Sequence, residues 1–134
     1  MFEAIDYLQN GNTRQQQAHQ AIQRLQLLEA LREYQPALCG TIPIGIDIAS
    51  SDIDIIMEVH DHPLFAAKIK ALYSDQIFFT IKGTPIRGKY VTKANFRYQG
   101  FDVELFGQQQ PVQQQHAYRH MVIEKHLLDQ HPTL

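Results

Sequence analysis

At 134 residues and 44% hydrophobic, the chain has enough apolar surface for one core and too little for two comfortable domains. Its net charge of −2 gives no electrostatic footprint for general nucleic-acid binding, and its single cysteine, Cys39, excludes a disulfide framework within one chain. No apolar run approaches the ~20 residues of a membrane span, and the opening Met-Phe-Glu-Ala-Ile-Asp lacks the basic and apolar regions of a signal peptide, so a reducing, cytoplasmic setting is expected.

The segment 13–34 contains no Pro or Gly, and Ala18, Ala21, Ile22, Leu25, Leu28 and Leu31 recur at the spacing of one helical face. Asn12 or Thr13 can cap its start, and Gln35-Pro36 ends it. Residues 37–40 are expected as a short strand, 41–51 as a loop broken by Pro43 and Gly45, and 52–59 as a β-branched strand. A second helix follows over 64–73, with Leu64, Ala67, Ile69, Ala71 and Leu72 as its apolar stripe. A strand over 77–82 leads into a turn-rich connection through Gly83-Thr84-Pro85 and Arg87-Gly88. Strands over 90–98 and 101–106 meet at Gln99-Gly100, where glycine supplies the positive φ of a tight hairpin. The last helix covers 113–128, with Ala117, Met121, Ile123, Leu127 and Leu128 apolar. The order α-β-β-α-β-β-β-α predicts an α+β fold, a small mixed β-sheet with helices packed on it. Seventeen glutamines, with triplets at 15–17, 108–110 and 113–115, are expected as polar filler on solvated faces and in loops.

The chemistry concentrates in 38–56. A short apolar run ends in Gly40-Thr41, and ten residues later a second run opens with Asp52 and Asp54 at i, i+2. On a strand those two project together while Ile53 and Ile55 point into the core. Side-by-side anions repel, and a protein usually tolerates them where a cation sits between. The run from Phe101 to Phe106 alternates strictly, so Asp102 and Glu104 share the face opposite Phe101, Val103 and Leu105. If the two strands are neighbours, three or four carboxylates converge, a donor set suited to Mg²⁺ shared with substrate phosphates. Two such ions could assist an in-line displacement at phosphorus. For Asp102 or Glu104 alone, a solvated strand face is the simpler reading. Two aspartates at a strand entrance need a stronger reason, because Asp is disfavoured in strands.

The spacing apolar-Gly-Thr, ten residues, Ser-Asp-Ile-Asp-Ile, then a later apolar-acid-apolar strand resembles the polymerase-β-like nucleotidyltransferase superfamily. Thr41 stands where the commonest form of the first motif has Gly-Ser or Gly-Gly. More narrowly, the chain resembles an uncharacterised bacterial nucleotidyltransferase-like domain-of-unknown-function family. The residues that carry this are Tyr7-Leu8, Gly11-Asn12 and Arg14-Gln15, Gly40 through Ile44, Gly100 through Gln108, Pro111-Val112, and Ala117 through Met121. The resemblance implies one nucleotidyltransferase-like domain over 1–134. Family members continue beyond the helix that here ends near Leu128, so C-terminal helices are either absent or belong to a longer protein. It implies Asp52 and Asp54 as the metal-binding pair and Glu104 as the third carboxylate, with Asp102 as the alternative. Gly40, Thr41 and Ser51 would contact the nucleotide. The implied reaction is an Mg²⁺-dependent transfer, with two ions, of a nucleoside monophosphate from a nucleoside triphosphate to an acceptor hydroxyl. The acceptor could be a small molecule, a protein or an RNA end. The alternative is an inactive nucleotide-binding or partner-binding module on the same fold.

Arg119 could clamp a triphosphate if it faces the acids, or pair with Glu124 instead. Lys82, Arg87, Lys89 and Lys93 form the most basic stretch and could meet phosphate too. His116 and His120 have a metal-gripping i, i+4 spacing, but no glutamate sits between them and zinc is not expected. His120 is expected against the sheet and His116 exposed, with His60, His62, His126 and His131 on the surface.

Overall fold

The order α-β-β-α-β-β-β-α, with its first helix split in two, is observed in a computed structural model that describes residues 5–45 and 52–130. The elements are α1 (Thr13–Leu25), a one-turn α2 (Leu27–Ala30), β1 (Ala37–Cys39), β2 (Ile53–Glu58) and α3 (His62–Tyr73). They continue as β3 (Ile77–Ile86), β4 (Lys89–Tyr98), β5 (Phe101–Gln108) and α4 (His116–Gln130). The fold class is α+β.

Asn12 starts α1 through a reciprocal cap: its Oδ1 accepts from the Gln15 amide at 2.8 Å, and the Gln15 Oε1 accepts from the Asn12 amide at 3.0 Å. Gln15 Nε2 also donates to the Ile42 carbonyl at 2.8 Å, which ties the helix start to the loop after β1. Gln15 is therefore buried rather than solvated filler, and so are Gln108 and Gln115. In each case the side chain sits where the fold closes over it.

A single helix over 13–34 is not what forms. Gln26 takes a left-handed conformation, with φ 54°, and ends α1. The break re-aims the chain so that Leu27 is fully buried, where an uninterrupted stripe would have used Leu28. Its tertiary cause is visible: the buried Tyr73 hydroxyl donates to the Leu25 carbonyl at 2.9 Å, satisfying an acceptor left open at the helix end. No Gly or Pro marks the place.

The five strands lie in the order β1-β2-β5-β4-β3. Only β2 and β5 pair in parallel; the other neighbours are antiparallel. β3 runs on through Gly83-Thr84-Pro85 to Ile86, so the expected turn-rich connection shrinks to Arg87-Gly88. Pro85 is tolerated because β3 is an edge strand. Both hairpin turns, Arg87-Gly88 and Gln99-Gly100, have two central residues at positive φ.

One sheet face packs Leu38, Ile53, Ile55, Met57, Ala94, Phe96, Val103 and Leu105 against α1 and α3. On α3 the buried positions are Phe65, Ile69 and Tyr73, while Leu64 and Leu72 lie in solvent. The aromatic rings bury more area than the expected leucines and find partners: Phe65 meets Tyr34 edge-on at 4.8 Å, and Tyr73 stacks on Phe96 at 5.3 Å. The opposite sheet face carries a smaller cluster of Ala37, Cys39, Ile44, Ile56, Val112, Tyr118 and Met121, closed by α4. Of the stripe expected on α4 only Met121 is buried; Leu128 packs partly, and Ile123 and Leu127 are exposed.

Candidate functional site

β2 and β5 place the acids by register alone. Ile53 stands beside Val103, Asp54 beside Glu104 and Ile55 beside Leu105. Because the isoleucines, Val103 and Leu105 are core residues, alternation turns Asp54 and Glu104 onto the α4 side of the sheet. Reading across that face at one level gives Cys39, Asp54, Glu104, Asn95 and Thr80. Gly40, at the end of β1, has φ +87°, and a Cβ built there would lie 2.8 Å from the Asp54 Oδ2. Glycine is thus required by the backbone, while an added Cβ would press only on the end of the Asp54 side chain.

A cleft of about 730 Å³ lies between this sheet face and α4. Gly40, Asp54 and Glu104 line one part of it, Phe106, Ile56 and Met121 give it an apolar wall, and Arg87, Lys89 and Arg119 contribute positive charge. Arg87 comes from the β3–β4 turn, Lys89 from the start of β4 and Arg119 from α4.

Burial, then the neighbouring Glu104 and Asp52, push the Asp54 carboxyl up to about 7; Lys93 opposes the shift. Asp52 is also raised, first by desolvation and then by Asp102 and Glu104, with Arg14 and Arg97 pulling it down. Arg14 is held in place by Phe101, with its guanidinium 3.6 Å from the ring centre, and by a 3.2 Å bond to the Gly100 carbonyl. The two acids on β5 have cations from β4: Lys93 Nζ lies 2.9 Å from Glu104 Oε1, and Arg97 Nη1 2.9 Å from Asp102 Oδ1.

Of the expected site residues, Asp54 and Glu104 are side by side, Asp52 sits exposed just ahead of β2, and Asp102 faces Arg97. Thr41 follows Gly40 and is half-exposed, and Ser51 lies outside the described residues. Arg119 faces the cleft. Carboxylate oxygens are the donor type a hard divalent cation needs, and Asp54 and Glu104 offer two adjacent ones. Among the described residues, however, no three His, Cys, Asp or Glu side chains stand together ready to hold one ion. Glu104 is turned to Lys93, and Asp102 to Arg97.

Two histidine expectations change. His120 does not pack on the sheet: it is exposed, 3.1 Å from Glu124 and stacked on His116 at 6.1 Å. His62 is half-buried rather than a surface residue, bonded to the Thr92 hydroxyl at 2.8 Å and edge-on to Tyr90. The residues that sequence reasoning missed as partners of the β5 acids are Arg97, which it did not single out, and Lys93, which it offered to phosphate. Counting outward from the Gln99-Gly100 turn pairs Arg97 with Asp102 and sets Lys93 two positions from the residue opposite Glu104, so the sequence did carry that signal.

No curated protein matches the chain in sequence. Among solved structures the fold is similar to that of the Cid1 poly(U) polymerase with MgGTP bound, at a TM-score of 0.58 and 12% identity over 85% of this chain. It is similar also to the GLD-2/RNP-8 complex (TM-score 0.55, 15% identity, 96% of this chain) and to a cytoplasmic RNA terminal U-transferase (0.51, 12%, 89%). The chain spans 36%, 53% and 35% of those chains respectively. These likenesses establish a nucleotidyltransferase-like fold. Residues 20–134 match the family described as Domain of unknown function (DUF4269), and the chain belongs to that family.

Proposed function

We propose that this protein is an Mg²⁺-dependent nucleotidyltransferase acting, as one domain, on a nucleoside triphosphate and an acceptor hydroxyl. The observation that carries the reading is the pair Asp54 and Glu104, side by side on parallel strands and lining a cleft whose other walls supply Arg87, Lys89 and Arg119. Asp52, Asp54 and Glu104 would hold the metal, with two ions expected and Asp102 in reserve. Bound there, the ions lower the pKa of the attacking hydroxyl and neutralise charge on the phosphates. Gly40 and Thr41 leave room for a phosphate to approach the backbone, and Ser51 belongs with them. Arg87, Lys89 and Arg119 draw the triphosphate toward the acids. The acceptor oxygen attacks the α-phosphorus, the bond from that phosphorus to the bridging oxygen breaks, and pyrophosphate leaves while the hydroxyl proton passes to solvent.

Calorimetric titration with Mg-ATP, Mg-GTP, Mg-CTP and Mg-UTP, with a pyrophosphate assay beside it, tests this. One triphosphate should bind, release pyrophosphate when an acceptor is supplied, and lose both on Asp52→Asn/Asp54→Asn. Failure of every triphosphate to bind would refute the nucleotide reading. A second reading, an inactive nucleotide-binding or partner-binding module, is favoured by the two internal ion pairs on β5. Binding without pyrophosphate release under any condition would support it.

A further inference from the structure

Lys93 does something that a solvated hairpin lysine need not. Directly opposite Glu104 on β4 stands Asn95, which carries no charge. With that residue alone, Glu104 would face Asp54 on one side and a neutral amide on the other. Lys93 lies two residues along β4, on the same face, and reaches diagonally to bring Nζ within 2.9 Å of Glu104 Oε1. No other cation forms an ion pair with Glu104 or Asp54 among the described residues. Both members of the pair are about one-third exposed, at 33% and 30%. A pair in that setting is screened by solvent, and an ammonium on a flexible four-carbon stem can leave without breaking packing.

We propose that Lys93 is a built-in counter-ion for Glu104, which a divalent cation must displace before it can use that carboxylate. The inference rests on the metal-binding reading above and deepens it. Lys93 occupies Glu104 when no cation is bound, which eases the repulsion between the two adjacent acids. Entry of a cation turns the ammonium away by like-charge repulsion. The freed Lys93 shares its sheet face with Lys82 of β3, its partner in register. Lys93 is thus a positioning residue that sets the threshold for metal, and a cation arriving with phosphates gives the released charge a new partner.

The test is Mn²⁺ titration of chelator-treated protein, followed by loss of the free-ion electron paramagnetic signal. Lys93→Met should bind Mn²⁺ about two- to five-fold more tightly than wild type, the range expected for releasing a partly exposed ion pair. Lys93→Arg, which keeps the charge, should bind no more tightly than wild type. A second measurement needs no variant: limited acetylation read by mass spectrometry should modify Lys93 faster in Mn²⁺ than in chelator, with Lys89 as the internal reference. Equal or weaker binding by Lys93→Met, or Lys93 acetylation indifferent to Mn²⁺, overturns the counter-ion role and leaves the metal site standing. Absence of Mn²⁺ binding by all three proteins overturns both.

Discussion

Replacing Asp54 by Asn should make the metal-free protein more stable, and the gain should depend on pH in a defined sense. Asp54 titrates near 7 in the folded chain against an ordinary 3.8, raised by burial first and by Glu104 and Asp52 next. A folded carboxyl that holds its proton more tightly than the unfolded one favours folding at low pH. As pH climbs from about 4 to about 7 the unfolded chain ionises freely while the folded one resists, so stability is lost across that window and stays lost above it. A window of about three pH units corresponds to about 4 kcal/mol as an upper bound, and screening through the cleft reduces this toward about 2 kcal/mol. The amide of the variant cannot ionise. Urea denaturation in a chelator at pH 8 should therefore show Asp54→Asn more stable by about 2 kcal/mol, with the difference shrinking toward zero near pH 4. Millimolar Mg²⁺ should reverse the order, since only wild type gains binding energy in the folded state. A variant less stable than wild type in chelator at pH 8 would mean that the carboxylate has a stabilising partner within the protein, and the cation argument would fail.

Gly40→Ala should cost about 1–2 kcal/mol in urea denaturation, because it forces a side chain into φ +87° and presses a Cβ on the end of the Asp54 side chain. A loss below about 0.5 kcal/mol would mean that residue 40 does not hold the left-handed conformation. Tyr73→Phe removes the bond that α3 donates to the Leu25 carbonyl and should destabilise by about 1–2 kcal/mol. The same change should speed amide hydrogen exchange around Gln26, and unchanged exchange there would detach the helix break from Tyr73.

The acids were legible because strand alternation is a local rule: Ile53 and Val103 in the core leave Asp54 and Glu104 no other face. That the two strands are parallel neighbours could only be supposed from the sequence, since fifty residues separate them. The helix break at Gln26 left no mark, because a left-handed glutamine is chosen by Tyr73 and by the burial of Leu27, both tertiary facts. The stripes on α3 and α4 misled for a related reason. Apolar spacing does not say which of two overlapping faces will meet the larger partner, and on α3 the rings of Phe65 and Tyr73 outweighed Leu64 and Leu72. Gln15, a residue in a polar triplet, became a buried latch because Ile42 offered its carbonyl.

The parallel seam between β2 and β5 has a kinetic meaning. The two tight hairpins of β3, β4 and β5 are local and can close early, whereas the seam unites segments fifty positions apart and must wait for a long loop to shut. The like charges of Asp54 and Glu104 are brought together only at that late step. Glu104 reaches that step already paired with Lys93 across the early hairpin, so docking of the meander onto the N-terminal half meets a softened repulsion, and acid, which neutralises Asp54, should ease the final closure of the chain as well as steady the finished fold.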